Sequence, residues 1–180
     1  MPEYAAFLRG INVSGRRVKG PELCAPFETV GAGEVSTFRA SGNVIFTAQR
    51  EPLAKLTARL EEALESSLGY HVAVFLRSAD EVREIAGHEP FPPEQVEASQ
   101  GKLQVSLLAK LPPAKGRKAV LALGTAQDRL AFGDSELYWL PSGGILESEL
   151  DWKQIDTLVG LSTRRTMGTI EQLAKKHFAS

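Results

Sequence analysis

Residues 4–77 alternate between strand and helix patterns in an order that few folds can accommodate. The predicted elements are a strand at Tyr4–Arg9, a helix from near Pro21 to near Gly31, strands at 35–40 and 43–48, a helix at 53–68 and a strand at 71–77. This β-α-β-β-α-β order is that of the ferredoxin-like arrangement. It predicts an antiparallel sheet for the first half of the chain.

Two local signals support this order at its centre. Only Ser41 and Gly42 separate the two middle strands, and a connection of this length is typical of a tight β-hairpin. After the hairpin, five leucines from Leu53 to Leu68 recur at helical spacing, and Gly69 provides a stop. The pattern therefore predicts a helix that ends near Gly69.

The same pattern resumes after a segment rich in proline. Residues 88–101 contain three prolines and are predicted to link two domains. The elements predicted after it are a strand at 103–109, a helix at 114–123, a hairpin around Gly133-Asp134, a helix at 150–159 and a last helix capped by Thr169 with Gln172. We therefore expect an α+β protein of two tandem ferredoxin-like (βαββαβ-type) halves with antiparallel sheets and a C-terminal helix. The expected boundaries are 1–87 for the first half, 88–101 for the linker and 102–180 for the second half.

Composition favours a protein of the cytoplasm. Of the 180 residues, 43% are hydrophobic and 24% charged, which suits a chain that buries a core. No apolar run approaches the roughly 18 residues of a membrane helix. No signal peptide is expected, because Glu3 lies close to the N-terminus and Arg9 interrupts the first apolar stretch. The single cysteine, Cys24, excludes an intrachain disulfide and is expected to be a small buried helix residue.

Charge is spread unevenly along the chain. The net charge of −1 gives the whole molecule no electrostatic footprint for nucleic acid. Residues 1–20 and 162–178 are basic, whereas residues 134–151 contain five carboxylates and no basic residue. An anion is therefore expected to prefer the N-terminal half. The alternative is that these three charged stretches are simply solvated faces.

Polar residues are predicted to converge at one edge of the first sheet. In the βαββαβ order the first strand lies beside the third, so the end of strand one lies next to the hairpin that joins strands two and three. This brings Arg9, Gly10 and Asn12 near Ser41, Gly42 and Asn43. Guanidinium and amide donors beside a helix start are the components of an anion site. The alternative is that Ser41, Gly42 and Asn43 are simply good turn residues.

Three segments resemble a known family. Residues 9–15, RGINVSG, resemble the RGINVGG opening of the domain of unknown function 1697 family, and residues 37–46, TFRASGNVIF, resemble its T-Y-x-Q-S-G-N-V-x-F segment. Residues 165–169, RTMGT, resemble its R-N-W-N-T segment, with Thr, Met and Gly in place of Asn, Trp and Asn. Ala40 stands where the family has Gln. The resemblance implies the fold and the site location, adds Arg165 to the candidate residues, and implies no established activity.

No motif in the sequence specifies a reaction. His71, His88 and His177 lie far apart in sequence without metal-ligand spacing, so no metal and no cofactor is expected. GxSxG, Walker A and GxGxxG motifs are absent, and no catalytic residue is nominated. The RNA-recognition signature is absent as well, which argues against nucleic acid.

The leading hypothesis is an uncharacterised protein that binds a small anionic, phosphate-like ligand at the edge of the N-terminal sheet. The predicted ligand-binding residues are Arg9, Gly10, Asn12, Ser41, Gly42, Asn43 and Arg165. Two alternatives stay open: an enzyme that acts on such a ligand, and an RNA-binding or protein-interaction module that uses the basic edge.

Overall fold

The fold is that of a computed structural model, which describes residues 1–11, 15, 17–39, 42–100 and 102–180. These residues form an α+β structure with two four-stranded antiparallel sheets and seven α-helices. The strands are β1 Glu3–Arg9, β2 Gly33–Thr37, β3 Asn43–Thr47, β4 Ala73–Ser78, β5 Gln104–Leu108, β6 Asp128–Phe132, β7 Glu136–Pro141 and β8 Ser162–Thr166. The helices are α1 Gly20–Thr29, α2 Leu53–Leu68, α3 Ala79–Gly87, α4 Pro93–Ala98, α5 Ala114–Ala122, α6 Trp152–Val159 and α7 Met167–His177.

Both sheets have the same strand order. The first sheet runs β2-β3-β1-β4 and the second β6-β7-β5-β8, and every neighbouring pair is antiparallel. The predicted hairpin around Gly133-Asp134 is present, because β6 and β7 pair along their whole length. Strand β1 therefore lies between β3 and β4, and strand β5 lies between β7 and β8.

The two sheets also match in register. Arg77 of β4 lies opposite Ala5 of β1, and Arg165 of β8 lies opposite Val105 of β5. Each arginine is buried and donates from Nη1 to the carbonyl of the residue before it, at 2.9 Å for Arg77 and 2.8 Å for Arg165. A buried guanidinium needs hydrogen-bond acceptors, and each of these two arginines has one in a backbone carbonyl of its own strand.

The chain divides into two compact units. The first unit comprises residues 1–84 and 173–180, and the second unit comprises residues 85–172. The first unit thus contains the end of the chain as well as its beginning. Phe178 belongs to it and is only 1% exposed, and the Phe178 carbonyl accepts a hydrogen bond of 2.9 Å from Arg83 Nη1.

In the first unit, α1 and α2 pack on one face of the sheet. The core contains Tyr4, Ala6 and Leu8 of β1, with Leu23 and Phe27 of α1, Leu56, Leu60 and Leu64 of α2, Val44 and Phe46 of β3, and Val74 and Leu76 of β4. The leucine spacing predicted this helix correctly, and Gly69 ends it with a positive φ of 83°. The opposite face is buried too, as Ala5 and Phe7 show.

In the second unit, α5 and α6 supply the helical side of the core. Its buried residues are Leu108, Val120, Leu137, Trp139, Leu150, Ile155 and Val159. Trp139 donates from Nε1 to Oδ1 of Asp128 at 2.9 Å, so the one polar atom of the buried indole has a partner. Asp151 caps α6 by accepting from the Gln154 backbone N–H at 3.1 Å.

Three elements differ from the sequence prediction. The predicted linker 88–101 contains α4, whose Pro93 suits a first helical turn. The strand β8 was not predicted, because its sequence STRRT has no apolar residue although Thr163 and Arg165 are buried. The last helix begins at Met167 rather than at a Thr169 cap, because the Thr169 backbone N–H already donates to Thr166 Oγ1 at 3.3 Å.

Across the described parts of the chain, no helix combines the length and the apolar character needed to cross a membrane.

Candidate functional site

The end of β1 and the β2–β3 hairpin meet at one end of the first sheet, which we call the hairpin end. The Leu8 backbone N–H donates to the Gly42 carbonyl at 2.8 Å, and the Phe38 N–H donates to the Asn43 carbonyl at 2.9 Å. Arg9 and Gly10 follow Leu8 directly. The structure therefore brings Arg9, Gly10, Gly42 and Asn43 to the same end of the sheet. Asn12 and Ser41, the other two residues predicted for this edge, lie outside the described residues.

Gly42 is required by both conformation and space. Its φ is +76°, a region that L-residues with a Cβ rarely adopt. An ideal Cβ at this position would lie 3.3 Å from Leu8 Cβ and 3.3 Å from the Leu8 carbonyl oxygen. The hairpin can therefore approach β1 this closely only with glycine at the turn.

Asn43 holds the hairpin together. Its side chain is 0% exposed, and Nδ2 donates to the Phe38 carbonyl at 2.8 Å. The Asn43 carbonyl accepts from the Phe38 N–H, so the two residues are joined twice. This is the turn role that the sequence also allowed for Asn43.

Arg9 is exposed at the last position of β1. The five residues before it are all buried, so the strand enters solvent at this side chain. A ligand could therefore approach this side chain from solvent without any opening of the core.

Arg165 lies in the second unit, on β8. It is 8% exposed, and Nη1 donates to Thr163 Oγ1 and to the Arg164 carbonyl, both at 2.8 Å. Burial lowers the pKa of Arg165 to about 10. A buried charge with a depressed pKa is costly, which makes these hydrogen bonds important for the second sheet.

Residues that the sequence did not nominate surround Phe38 at the hairpin end. Arg39 Cζ lies 5.6 Å from the centroid of the Phe38 ring, and Lys176 Nζ lies 5.8 Å from it. The His177 ring meets the Phe38 ring edge-on at 5.7 Å between centroids. The negative face of an aromatic ring attracts cations within about 6 Å. Arg39 of the hairpin and Lys176 and His177 of α7 thus surround the Phe38 ring.

Arg39 adopts a left-handed backbone conformation, with a φ of +59°. This conformation costs an L-residue with a Cβ roughly 1–2 kcal/mol, and Gly, Asn or Asp are the usual residues there. Its side chain is exposed at the hairpin tip. Strained non-glycine residues are concentrated at ligand sites, where the side chain matters more than the backbone cost.

The surroundings of His177 disfavour its charged form. Burial lowers its pKa below the usual 6.5, and the nearby positive charge of Lys176 lowers it further, against an opposing effect of Glu3. Among the described residues, Arg9, Arg39 and Lys176 are cationic side chains of the first unit at this end. Together they favour an anion rather than a metal ion, and none of the described His, Cys, Asp and Glu side chains form a group of three or more able to hold a metal.

Part of this cluster had a signal in the sequence. Residues 37–46 carry one of the resemblance segments, and Phe38 and Arg39 lie within it. Lys176 and His177 lie near the C-terminal end of the basic stretch 162–178. No local pattern shows that this stretch returns to the first sheet.

Comparison with known proteins places the chain in a family. Residues 1–138 match the family described as "Protein of unknown function (DUF1697)". The chain belongs to this family. The part that matches DUF1697 contains the hairpin end up to Asn43, and it stops before Arg165. No curated protein matches the DUF1697 chain in sequence.

A solved structure shares the fold of this DUF1697 protein. It is described as the structure of the conserved bacterial protein SP0830 from Streptococcus pneumoniae. The TM-score is 0.78 with 22% sequence identity, and the similarity covers 98% of this chain and 99% of that chain. At this identity the likeness supports the fold alone.

Proposed function

We propose that this protein binds a small anionic, phosphate-like ligand at the hairpin end of the first sheet. The observation that carries the proposal is the placement of Arg39 Cζ and Lys176 Nζ at 5.6 and 5.8 Å from the centroid of one ring, that of Phe38. Arg9 adds a third cationic side chain at the same end of the sheet. A ligand with two negative charges would be attracted to these positive charges.

Each part of the hairpin end has a separate role in this proposal. Arg9 and Arg39 supply planar guanidinium donors, which suit the oxygen atoms of phosphate. Lys176 supplies a flexible point charge from the C-terminal helix. Gly10 lets the backbone come close to the ligand, Gly42 lets the hairpin pack closely on β1, and Asn43 keeps the hairpin in place. The sequence also predicted Asn12 and Ser41, which lie outside the described residues, and Arg165, which belongs to the second unit and is not part of the hairpin end.

We further propose that the two units are ferredoxin-like halves produced by duplication, in a protein of the cytoplasm. The matched strand orders and the matched registers of Arg77 and Arg165 support the duplication. The single cysteine supports the compartment. In this view the ligand site is a specialisation of one half of a repeated framework.

Replacement of Arg9 by Ala tests the proposal. Arg9 is exposed, so the variant is expected to unfold at nearly the same temperature as the wild type. Loss of a charge-assisted hydrogen bond should weaken binding by roughly ten- to a hundred-fold. The measurement is the thermal shift produced by phosphorylated metabolites, which reports binding to the folded state.

The control for Arg9→Ala is Lys115→Ala, which removes one exposed positive charge from α5 of the second unit. This control is expected to keep the full ligand-induced shift. A variant Arg9→Ala that melts many degrees lower, yet is stabilised by the ligand as the wild type is, would show that Arg9 is structural.

A further inference from the structure

A second basic surface of the first unit surrounds a cavity of about 450 Å³. The cavity lies between the turn that follows α1, the segment that follows β3 and the first turns of α2. Its lining includes the buried apolar side chains of Ala48 and Leu56 and the charged side chains of Arg50, Glu51, Lys55 and Arg59. Its volume lies within the range of small-molecule sites, roughly 300–1,000 Å³.

Arg59 is fixed in the wall of this cavity. Its Nη2 donates to the Val30 carbonyl at 2.7 Å, and its Nη1 forms an ion pair with Glu51. These bonds join α2 to the end of α1 and to the segment after β3. A guanidinium held in this way loses little further freedom when an anion binds, and it has other N–H donors to offer.

The charges of the cavity do not balance. Glu51 is the only carboxylate among the described lining residues, and its side chain is 15% exposed. Its single charge is shared between Arg59 and Lys55, whose Nζ lies 4.0 Å from Glu51 Oε2. Arg50 forms no ion pair with any residue that the structure describes. Three cations therefore face one anion, and the cavity has an excess of two positive charges.

The start of α2 adds to this potential. Its first turn contains no acidic residue, and no side chain caps it. The positive end of the helix dipole is thus not countered within the helix itself. On its own a helix start would mean little, but here it adds to a cavity that is already cationic.

We propose that this cavity is a second anion site, for a small anion with at least two negative charges, such as a phosphate ester or pyrophosphate. The chemistry is that of Arg59, Lys55 and Arg50 around two negative charges, with the organic part of the ligand against Leu56 and Ala48. This site shares no residue with the hairpin end, so the proposal stands or falls separately from the proposed function.

Amide NMR of the whole chain titrated with pyrophosphate at constant ionic strength tests this site. We expect saturable shifts at Gly31, Ala32 and Gln49, which line the cavity. Lys55→Gln should weaken the affinity reported by these amides about ten-fold, as expected for one lost charge-assisted hydrogen bond. Lys118→Gln, on exposed α5, is the matched control and should leave it unchanged.

Shifts at Phe38, Arg39 and Gly42 report the hairpin end in the same spectra and should not respond to Lys55→Gln. Either site can therefore fail alone. The cavity proposal is overturned if the amides of Gly31, Ala32 and Gln49 show no saturable shift. It is also overturned if their shifts are the same in Lys55→Gln and in Arg50→Gln as in the wild type.

Discussion

At the scale of single residues, Arg39 combines a backbone conformation typical of glycine with a positively charged side chain. Its φ of +59° places it in the left-handed region, although it lies at an exposed turn where glycine would fit without strain. The guanidinium lies 5.6 Å from the Phe38 ring centroid, close to the other cations of the hairpin end. The conflict between backbone and side chain at one position gives a test that separates stability from binding.

We expect Arg39→Gly to leave the free energy of unfolding within about 1 kcal/mol of the wild type, because relief of strain offsets the extra freedom of the unfolded chain. Binding of phosphate-like ligands should weaken by roughly ten-fold or more, because a charge-assisted hydrogen bond is lost. Urea unfolding and calorimetric titration measure the two quantities. Unchanged binding in a stable Arg39→Gly variant would remove Arg39 from the site.

Asp128 makes a single-residue contribution to the second unit. It is 5% exposed, and Oδ1 accepts the hydrogen bond from the buried Trp139 indole at 2.9 Å. Asp128→Ala should lower the free energy of unfolding by about 1–3 kcal/mol, because it leaves the indole N–H without its acceptor. Asp128→Asn keeps an acceptor and should cost less. Equal losses in the two variants, measured by urea unfolding, would show that the hydrogen bond contributes little.

At the scale of elements, α7 connects the hairpin end to pH through His177. Burial, and after it Lys176, lowers the pKa of His177 in the folded chain below 6.5. The unfolded chain then binds this proton more tightly than the folded chain does. The contribution of His177 to stability is therefore lost as pH falls below about 6.5.

His177→Gln removes this titration while keeping a polar side chain. The fall in melting temperature between about pH 7 and about pH 5 should be smaller in this variant than in the wild type. A series of thermal unfolding curves across this range measures it. If the two proteins lose stability in parallel, the burial of His177 is not coupled to proton binding.

The elements that the sequence predicted well are those whose pattern is local. The leucines of α2 lie one turn apart, and Gly69 ends the helix in the conformation that glycine adopts most readily. The hairpin at Gly42 was also predicted, because a very short connection leaves few alternatives. By contrast, β8 has the sequence STRRT and buries Arg165, so its inward positions cannot be recognised from hydrophobicity.

The candidate site was predictable to the same extent. The strand order implied that Arg9 and Gly42 would be neighbours, and the Leu8–Gly42 hydrogen bond of 2.8 Å bears this out. The approach of Lys176 and His177 to Phe38 joins residues that are more than a hundred positions apart. Such a contact depends on the path of the whole chain, and no local pattern encodes it.

At the scale of the whole molecule, two matching frameworks differ in the charged residues at corresponding positions. The Leu8–Gly42 hydrogen bond of the first sheet corresponds to one of 3.0 Å from the Leu108 N–H to the Ser135 carbonyl in the second sheet. Arg9 follows Leu8, whereas Ala109 follows Leu108. The turn of the second hairpin carries Asp134, an exposed carboxylate. An anion should therefore bind at the hairpin end of the first sheet and be repelled from the corresponding end of the second.

Anomalous diffraction from crystals soaked in selenate, a phosphate-like dianion, tests this claim most directly because it locates the anion. We predict a selenium peak at the hairpin end, within hydrogen-bonding reach of Arg9, Arg39 or Lys176. The same crystals should show no peak at the corresponding turn that carries Asp134. A peak beside Asp134 with none at the hairpin end would contradict the assignment of the anion site to the first sheet.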